Sequence, residues 1–334
     1  MSESKVNRIN HICLIIIATV ALTAGLIYTR SILVLLVFSF FLYTVLSTGI
    51  GFINRFIKVH KWVSVSLMML AIFFLTLLLI VMMANSIEDF VGGARQYQSK
   101  FVEFLSWVER QMLAYGIIDT NQSLVQKFST LPIFSYVQGL TAGIFTFFGK
   151  VFLVFIMTLF MILGERTGEI QNPFLLEMHS KISKYITIKM ISSVSTGILV
   201  FMILSMFHVE LAFMFGTLTF LLNFIPSIGS IIATVLPMPL VFLQYDVSGK
   251  TLLIFIFLST VQVIIGNLIE PKLMGERLDL HPVTVLVFLL FWGLVWGIPG
   301  MFLAVPITAI VKIILSKMES TEGIAQLLAG RIPE

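Results

Sequence analysis

Asn223-Phe-Ile-Pro-Ser-Ile-Gly229 interrupts an apolar run that begins at Leu211 and resumes as far as Tyr245, with Pro237 and Pro239 in its second arm. A second interruption, Gly297-Ile-Pro-Gly300, divides the apolar stretch 283–315, and Pro306 follows it. Proline removes a backbone donor and crowds the preceding turn, so each place ends or bends a helix. In hydrocarbon every backbone N–H and C=O has to be satisfied within the protein, and broken helix survives only where it is buried or lines a cavity. Apolar segments interrupted by Pro and Gly in corresponding places point to the binding site of a secondary transporter. The arms are 211–225 with 230–245, and 283–297 with 301–315. An arm of about 15 residues reaches roughly 22 Å, short of a hydrocarbon core of about 30 Å. Each pair therefore reads as a re-entrant hairpin or as two thin, tilted spans.

The rest of the chain places these breaks in a membrane. Its 334 residues are 58% hydrophobic and 11% charged, with a mean hydropathy of +1.04; soluble domains are about a quarter charged. The fold expected is all-α, a polytopic transmembrane helical protein. Six unbroken stretches approach the roughly 20 apolar residues a span needs: Ile9–Thr29, Ser31–Ile53, Trp62–Ser86, Ala142–Leu163, Tyr185–Phe207 and Thr251–Ile269. Lys5 and Arg8 precede the first, which is longer than a signal-peptide core and reads as an uncleaved signal-anchor. With the N-terminus inside, the inner loops hold fourteen Lys and Arg, Lys181, Lys184 and Lys189 among them; the short outer loops hold three, Arg30, Lys150 and Lys250. That asymmetry predicts N-terminus and C-terminus both inside. Hairpin one would enter from outside and hairpin two from inside.

The expected organisation is an N-terminal scaffold of three spans over 1–86 and an extramembrane helical insertion over 87–141. Two spans over 142–207 follow, then a transport core over 208–316 and an inner tail over 317–334. In the insertion Tyr97, Phe101, Phe104, Leu105, Val108 and Met112 share one helical face, and a second amphipathic piece lies near Leu124–Phe128. Glu165–Met190 is amphipathic too, and its lysines beside Ile182, Tyr185 and Ile186 suit the anionic inner interface.

Polar side chains at membrane depth are costly and mark solute paths. Asn223, three residues before Pro226, lies at the tip of hairpin one; its amide offers two donors and an acceptor to a solute, or caps carbonyls freed by the proline. Ser227, Gly229 and Ser230 leave room for backbone to meet a ligand, and Pro299, Gly300 and Pro306 are the matching residues of hairpin two. Gln262 and Asn267 are five positions apart, so on an α-helix their directions differ by about 140°. Glu270-Pro271 ends that helix; the carboxylate binds a proton or coupling ion, or pairs with Lys272 or Arg277. The net charge of +4 is spread over many short loops and is no nucleic-acid footprint. Cys13 is the only cysteine, the five histidines have no ligand spacing, and no phosphate-cradling or hydrolase motif occurs. No metal, cofactor or enzymatic activity is expected. The partners expected are a small polar solute and membrane lipid.

Asn223-Phe-Ile-Pro-Ser-Ile-Gly229, Gly266-Asn-Leu-Ile-Glu-Pro-Lys-Leu-Met-Gly275 and the Gly297-Ile-Pro-Gly-Met-Phe-Leu-Ala-Val-Pro306 stretch after Phe291-Trp-Gly resemble the autoinducer-2 exporter family of bacterial inner-membrane permeases. The resemblance covers most of the chain, and three motifs in order make it specific. It implies export of autoinducer-2, a quorum-sensing furanone, or of a related small solute, by a multi-subunit (homo-oligomeric) assembly in the inner membrane. Sodium(lithium)/proton antiport is assigned to some relatives. By motif position, Asn223, Pro226, Gly229, Asn267, Glu270, Pro271 and Gly275 carry over as the transport-site shell. The reading from the residues is a carrier with its solute between the hairpin tips and the Gln262/Asn267 helix. A non-transporting membrane scaffold is the alternative from another class.

Overall fold

A computed structural model describes residues 3–56, 61–114, 149–164, 173–274, 279–318 and 321–331. The described residues are all helical or lie in the turns between helices. In chain order the helices are α1 (Glu3–Tyr28), α2 (Arg30–Phe56), α3 (Lys61–Ala114), α4 (Gly149–Leu163), α5 (Pro173–Met206), α6 (Ala212–Leu222), α7 (Ile228–Val235), α8 (Met238–Tyr245) and α9 (Gly249–Gln262). A π-helical turn, Val263–Ile269, joins α9 to α10 (Glu270–Met274); α11 (Pro282–Trp296), α12 (Ile298–Leu315) and α13 (Glu322–Leu328) complete the order. Among the described residues six helical stretches are long and apolar enough to cross a membrane: Arg30–Ser47, Trp62–Ser86, Leu176–Met206, Ile228–Tyr245, Gly249–Leu273 and Ile298–Leu315. This is a multi-pass membrane protein.

The chain forms two compact units. One comprises residues 1–58, 150–187 and 276–334, the other 59–149 and 188–275. In the first, the Ser39 hydroxyl on α2 and the Thr158 hydroxyl on α4 each bond a backbone carbonyl of the other helix, at Val154 and Ser39. Phe302 of α12 packs on Phe38 and Phe41 of α2, and the Trp296 indole N–H donates to the Leu26 carbonyl at 3.0 Å. The start of α11 is bound to the tail: Asp279 pairs with Lys312 at 2.7 Å and with Arg331 at 3.1 Å, while the His281 N–H donates to the Leu328 carbonyl.

In the second unit Val200 and Leu204 of α5 pack with Phe215 of α6, Met238, Leu240 and Val241 of α8, and Ile254 and Leu258 of α9. α3 runs 54 residues without interruption, straight through position 86/87 and into the stretch read as an insertion. At 1.5 Å per residue that is about 80 Å of helix, far more than a bilayer core requires. Of the expected amphipathic face on α3, Val108 and Met112 are half-buried; the piece near Leu124–Phe128 lies outside the described residues.

The two breaks are tighter than the sequence implied. The first is confined to Asn223–Ser227, with Ser227 at φ 59°, and Pro237 immediately precedes α8 in a turn that begins at Leu236. The second is a single residue, Gly297 at φ 70°, a left-handed conformation natural to glycine. Pro299 and Gly300 therefore belong to the first turn of α12, where proline's fixed φ suits a helix start. The second arm accordingly has 18 residues rather than about 15, with Pro306 inside it. Both breaks bring backbones together in the same manner: a Cβ on Gly229 would strike the Leu222 carbonyl, and one on Gly300 the Trp292 carbonyl.

Candidate functional site

The candidate site grows from one stripe of α5. Residues three and four apart on a helix share a face, and Lys189, Ser192, Ser193 and Thr196 follow that spacing. All four are buried, Ser193 and Thr196 completely. Below them on the same helix Ile182, Tyr185 and Ile186 are buried; above them Val200 and Leu204 enter the apolar core. A polar band thus interrupts an apolar seam part-way along a candidate span. α5 and α6 touch just above the band, where a Cβ on Gly197 would lie 2.8 Å from the Gly216 carbonyl oxygen.

Two structures converge on the band. From the first break, Asn223 is buried and its Nδ2 donates to Ser193 Oγ at 3.1 Å. From the start of α10, Glu270 receives Lys189 Nζ on Oε1 at 2.5 Å and Ser192 Oγ on Oε2 at 3.2 Å. Ser192 Oγ also lies 3.1 Å from the Lys189 carbonyl, and Thr196 Oγ1 donates to the Ser192 carbonyl at 2.7 Å. The Lys189 side chain is 5% exposed and that of Glu270 13%. A charge pair this deep draws its strength from low local dielectric and is destabilising to break.

Glu270 reaches α5 because of the π turn before it. Thr251, Ile254, Leu258, Gln262 and Ile265 form the buried stripe of α9 and its continuation. On an uninterrupted α-helix, residues 262 and 270 would point about 80° apart; one extra residue accommodated in a π turn reduces that to about 20°. The helix does not end at Glu270, as the sequence suggested. It continues through α10 with Pro271 at its second position.

The sequence left Glu270 either to bind a proton or coupling ion or to pair with Lys272 or Arg277, and assigned Lys189 to the inner interface. The structure pairs Glu270 with Lys189, 81 positions upstream, and Lys189 is buried. Lys181 lies in an exposed i,i+4 pair with Glu177. Arg277 and the candidate residue Gly275 lie outside the described residues. Gln262 is buried with Oε1 lacking a hydrogen-bond partner, whereas Asn267 is exposed. Ser227 is exposed, Pro226 and Ser230 are half-buried, and the Ser230 hydroxyl bonds the Ser227 carbonyl. Gly229 is buried against Leu222, while Pro299, Gly300 and Pro306 belong to the other compact unit. The serines and threonine of α5 were missed. Their polar i, i+3, i+4, i+7 spacing inside an apolar run was the available signal.

A multi-pass helical membrane protein with a polar band inside a candidate span is the architecture of a solute transporter. The model of the AI-2E family transporters matches residues 16–320, and the chain belongs to that family. The AI-2 transport protein TqsA of Escherichia coli K12 is 26% identical over 321 residues, which span 93% of each chain. YhhT of the same strain is 28% identical over 329 residues, covering 95% of this chain and 93% of YhhT. A Borreliella burgdorferi protein is 40% identical over 154 residues, 46% of this chain and 42% of that one.

Proposed function

We propose that this chain is a secondary carrier that exports a small polar solute, autoinducer-2 in the first instance, across the bacterial inner membrane by alternating access. The observation that carries the reading is the band on α5, where Asn223 from a broken helix and Glu270 from a π turn meet Ser193, Ser192 and Lys189. Broken backbone and buried polar groups in one place give a solute directional partners and give the carrier an element able to move. The choice of autoinducer-2 rests on the name of TqsA, a relative over nearly the whole chain. Gln262 contributes an unpartnered carbonyl oxygen to the shell, and Asn267, Ser227 and Ser230 are candidates for its outer edge. Pro226, Gly229 and Pro271 shape the backbone of the shell, and Gly275 completes its motif. Pro299, Gly300 and Pro306 act as the hinge of the second broken pair. The broken pairs sit as re-entrant hairpins or as pairs of tilted spans, both termini are cytoplasmic, and the carrier works as a homo-oligomer.

Radiolabelled autoinducer-2 flux into proteoliposomes, with proton and sodium gradients imposed separately, tests the reading. Flux that follows one gradient supports a coupled carrier, and flux down its own gradient alone supports a facilitator. No flux by folded protein removes autoinducer-2 as the solute. The buried carboxylate favours one second reading, sodium(lithium)/proton exchange centred on Glu270; unchanged pH-dependent sodium movement in Glu270→Gln would remove it.

A further inference from the structure

α11 is held unequally along its length. Leu289, Trp292, Val295 and Trp296 are buried, while none of residues 282–288 is. The tight contacts are at the break, where Gly300 lies against the Trp292 carbonyl and Gly293 against the Met301 side chain. The end away from the break depends on polar ties. Lys312 Nζ of α12 donates to Asp279 twice, to Oδ2 at 2.7 Å and to the backbone carbonyl at 2.8 Å. Further ties come from the tail, whose end is shaped to supply them. α13 finishes in a Schellman turn: the Gly330 N–H bonds the Leu327 carbonyl and the Arg331 N–H the Gln326 carbonyl, with Gly330 at φ 79°. The Leu328 carbonyl accepts from the His281 N–H at 3.0 Å, and Arg331 Nη2 reaches Asp279 Oδ1 at 3.1 Å. The C-terminus of α13 thus meets the N-terminus of α11, an arrangement that the two helix dipoles favour. His281 caps α11, its Nδ1 accepting from the Val283 N–H. Its ring lies so close to Gly330 that a Cβ there would strike it. Glycine at 330 answers both the left-handed turn and the contact.

We propose that Leu328–Arg331 is a strap on the second broken pair: it holds the free end of α11 to α12, and its release lets that end swing away about Gly297. α11 has the form of a lever, packed at one end and tied at the other. Its 15 residues make an arm of about 22 Å, so a swing of about 15° carries the free end roughly 6 Å. Arg331 is 68% exposed, and an exposed ion pair contributes little. The strap is therefore light, one backbone hydrogen bond and one glycine-to-ring contact besides that pair, and can be released and closed again. Where the second pair hinges, as proposed for this carrier, the strap sets the resting position of its arm.

The test reads the arm directly, in the purified full chain in lipid nanodiscs. Cys13→Ser removes the only cysteine. Nitroxide labels at Val283→Cys and Ile314→Cys, both exposed positions, then report the separation of the two free ends by double electron–electron resonance. Gly330→Val dislodges the strap and is expected to lengthen or widen the distance distribution by roughly 6 Å relative to the native tail. Arg331→Ala should move it less, since only the exposed pair is lost. A chain ending at Leu327 removes the strap outright and should match Gly330→Val. If the shortened chain, folded by circular dichroism, keeps the native distribution, the proposal is overturned, whatever Gly330→Val does. Trimming the tail of already folded, labelled protein with carboxypeptidase gives the same reading where the shortened chain does not fold. Distances unmoved by loss of the tail defeat the strap and spare the proposed function. Absence of autoinducer-2 flux defeats that function and leaves the strap.

Discussion

Removing one charge of the Lys189–Glu270 pair should be far more damaging than removing both. The two side chains are 5% and 13% exposed and meet at 2.5 Å, so solvent screens them little. Taking one partner from a buried pair typically costs about 3–5 kcal/mol, because the other charge is left without compensation. Replacing both by uncharged groups of similar volume is often close to neutral. The expected pattern is therefore a loss of ~3 kcal/mol or more for Lys189→Gln and for Glu270→Gln, and of ~1 kcal/mol or less for the double variant. The singles then sum to ~6 kcal/mol, and the coupling is about 5 kcal/mol, larger than most neighbouring pairs show. Reversible unfolding in mixed micelles, titrated with denaturing detergent and followed by circular dichroism, measures all four corners of the cycle. Singles that each lose less than ~1 kcal/mol, or a double variant as damaged as the sum of the singles, would refute the reasoning. Either result would mean that water reaches the pair, or that each charge has another partner.

Asn223→Ala removes the bond to Ser193 and is expected to cost about 1 kcal/mol of stability; its autoinducer-2 flux at normal protein level should fall by roughly tenfold, a loss of one directional contact. Unchanged flux would take Asn223 out of the solute path. Gly229→Ala and Gly300→Ala each press a methyl onto a carbonyl across a break, and each should lose about 1–3 kcal/mol in the same unfolding titration. Asp279→Ala releases Lys312 and Arg331, both at least partly exposed. Global stability should change by less than about 1 kcal/mol, while trypsin cuts at Lys317 and Arg331 faster than in the native chain; an unaltered digestion rate would show that the tail is held by other contacts.

The membrane class and the positions of the breaks were legible because both depend on local chemistry. A run of apolar residues reports a span, and Pro226 or Gly297 reports where a helix cannot continue. The extent of each break was less legible, since Pro299 is equally at home in a turn and in the first turn of a helix. Lys189 was misread for a related reason. It shares a segment with Lys181 and Lys184, and the surface position of one lysine says nothing about its neighbour until Glu270 is brought up from 81 positions away. Such a pairing leaves no trace in either local sequence. The π turn is equally silent: Val263–Ile269 has the composition of any apolar helix, yet it decides that Glu270 faces α5.

That turn makes the chain's spelling matter in an unusual way. Almost everywhere in a buried helix, deleting one residue swings all that follows through about 100° and scrambles its contacts. Between Val263 and Ile269 the chain already carries one residue more than a regular helix would hold. Losing an outward-facing letter there, such as Ile264, would let the helix close into ordinary turns while Glu270 still met Lys189. Inserting one residue into the same turn would carry the carboxylate away. The π turn is thus a reading-frame allowance written into the protein itself, open to shortening and closed to lengthening.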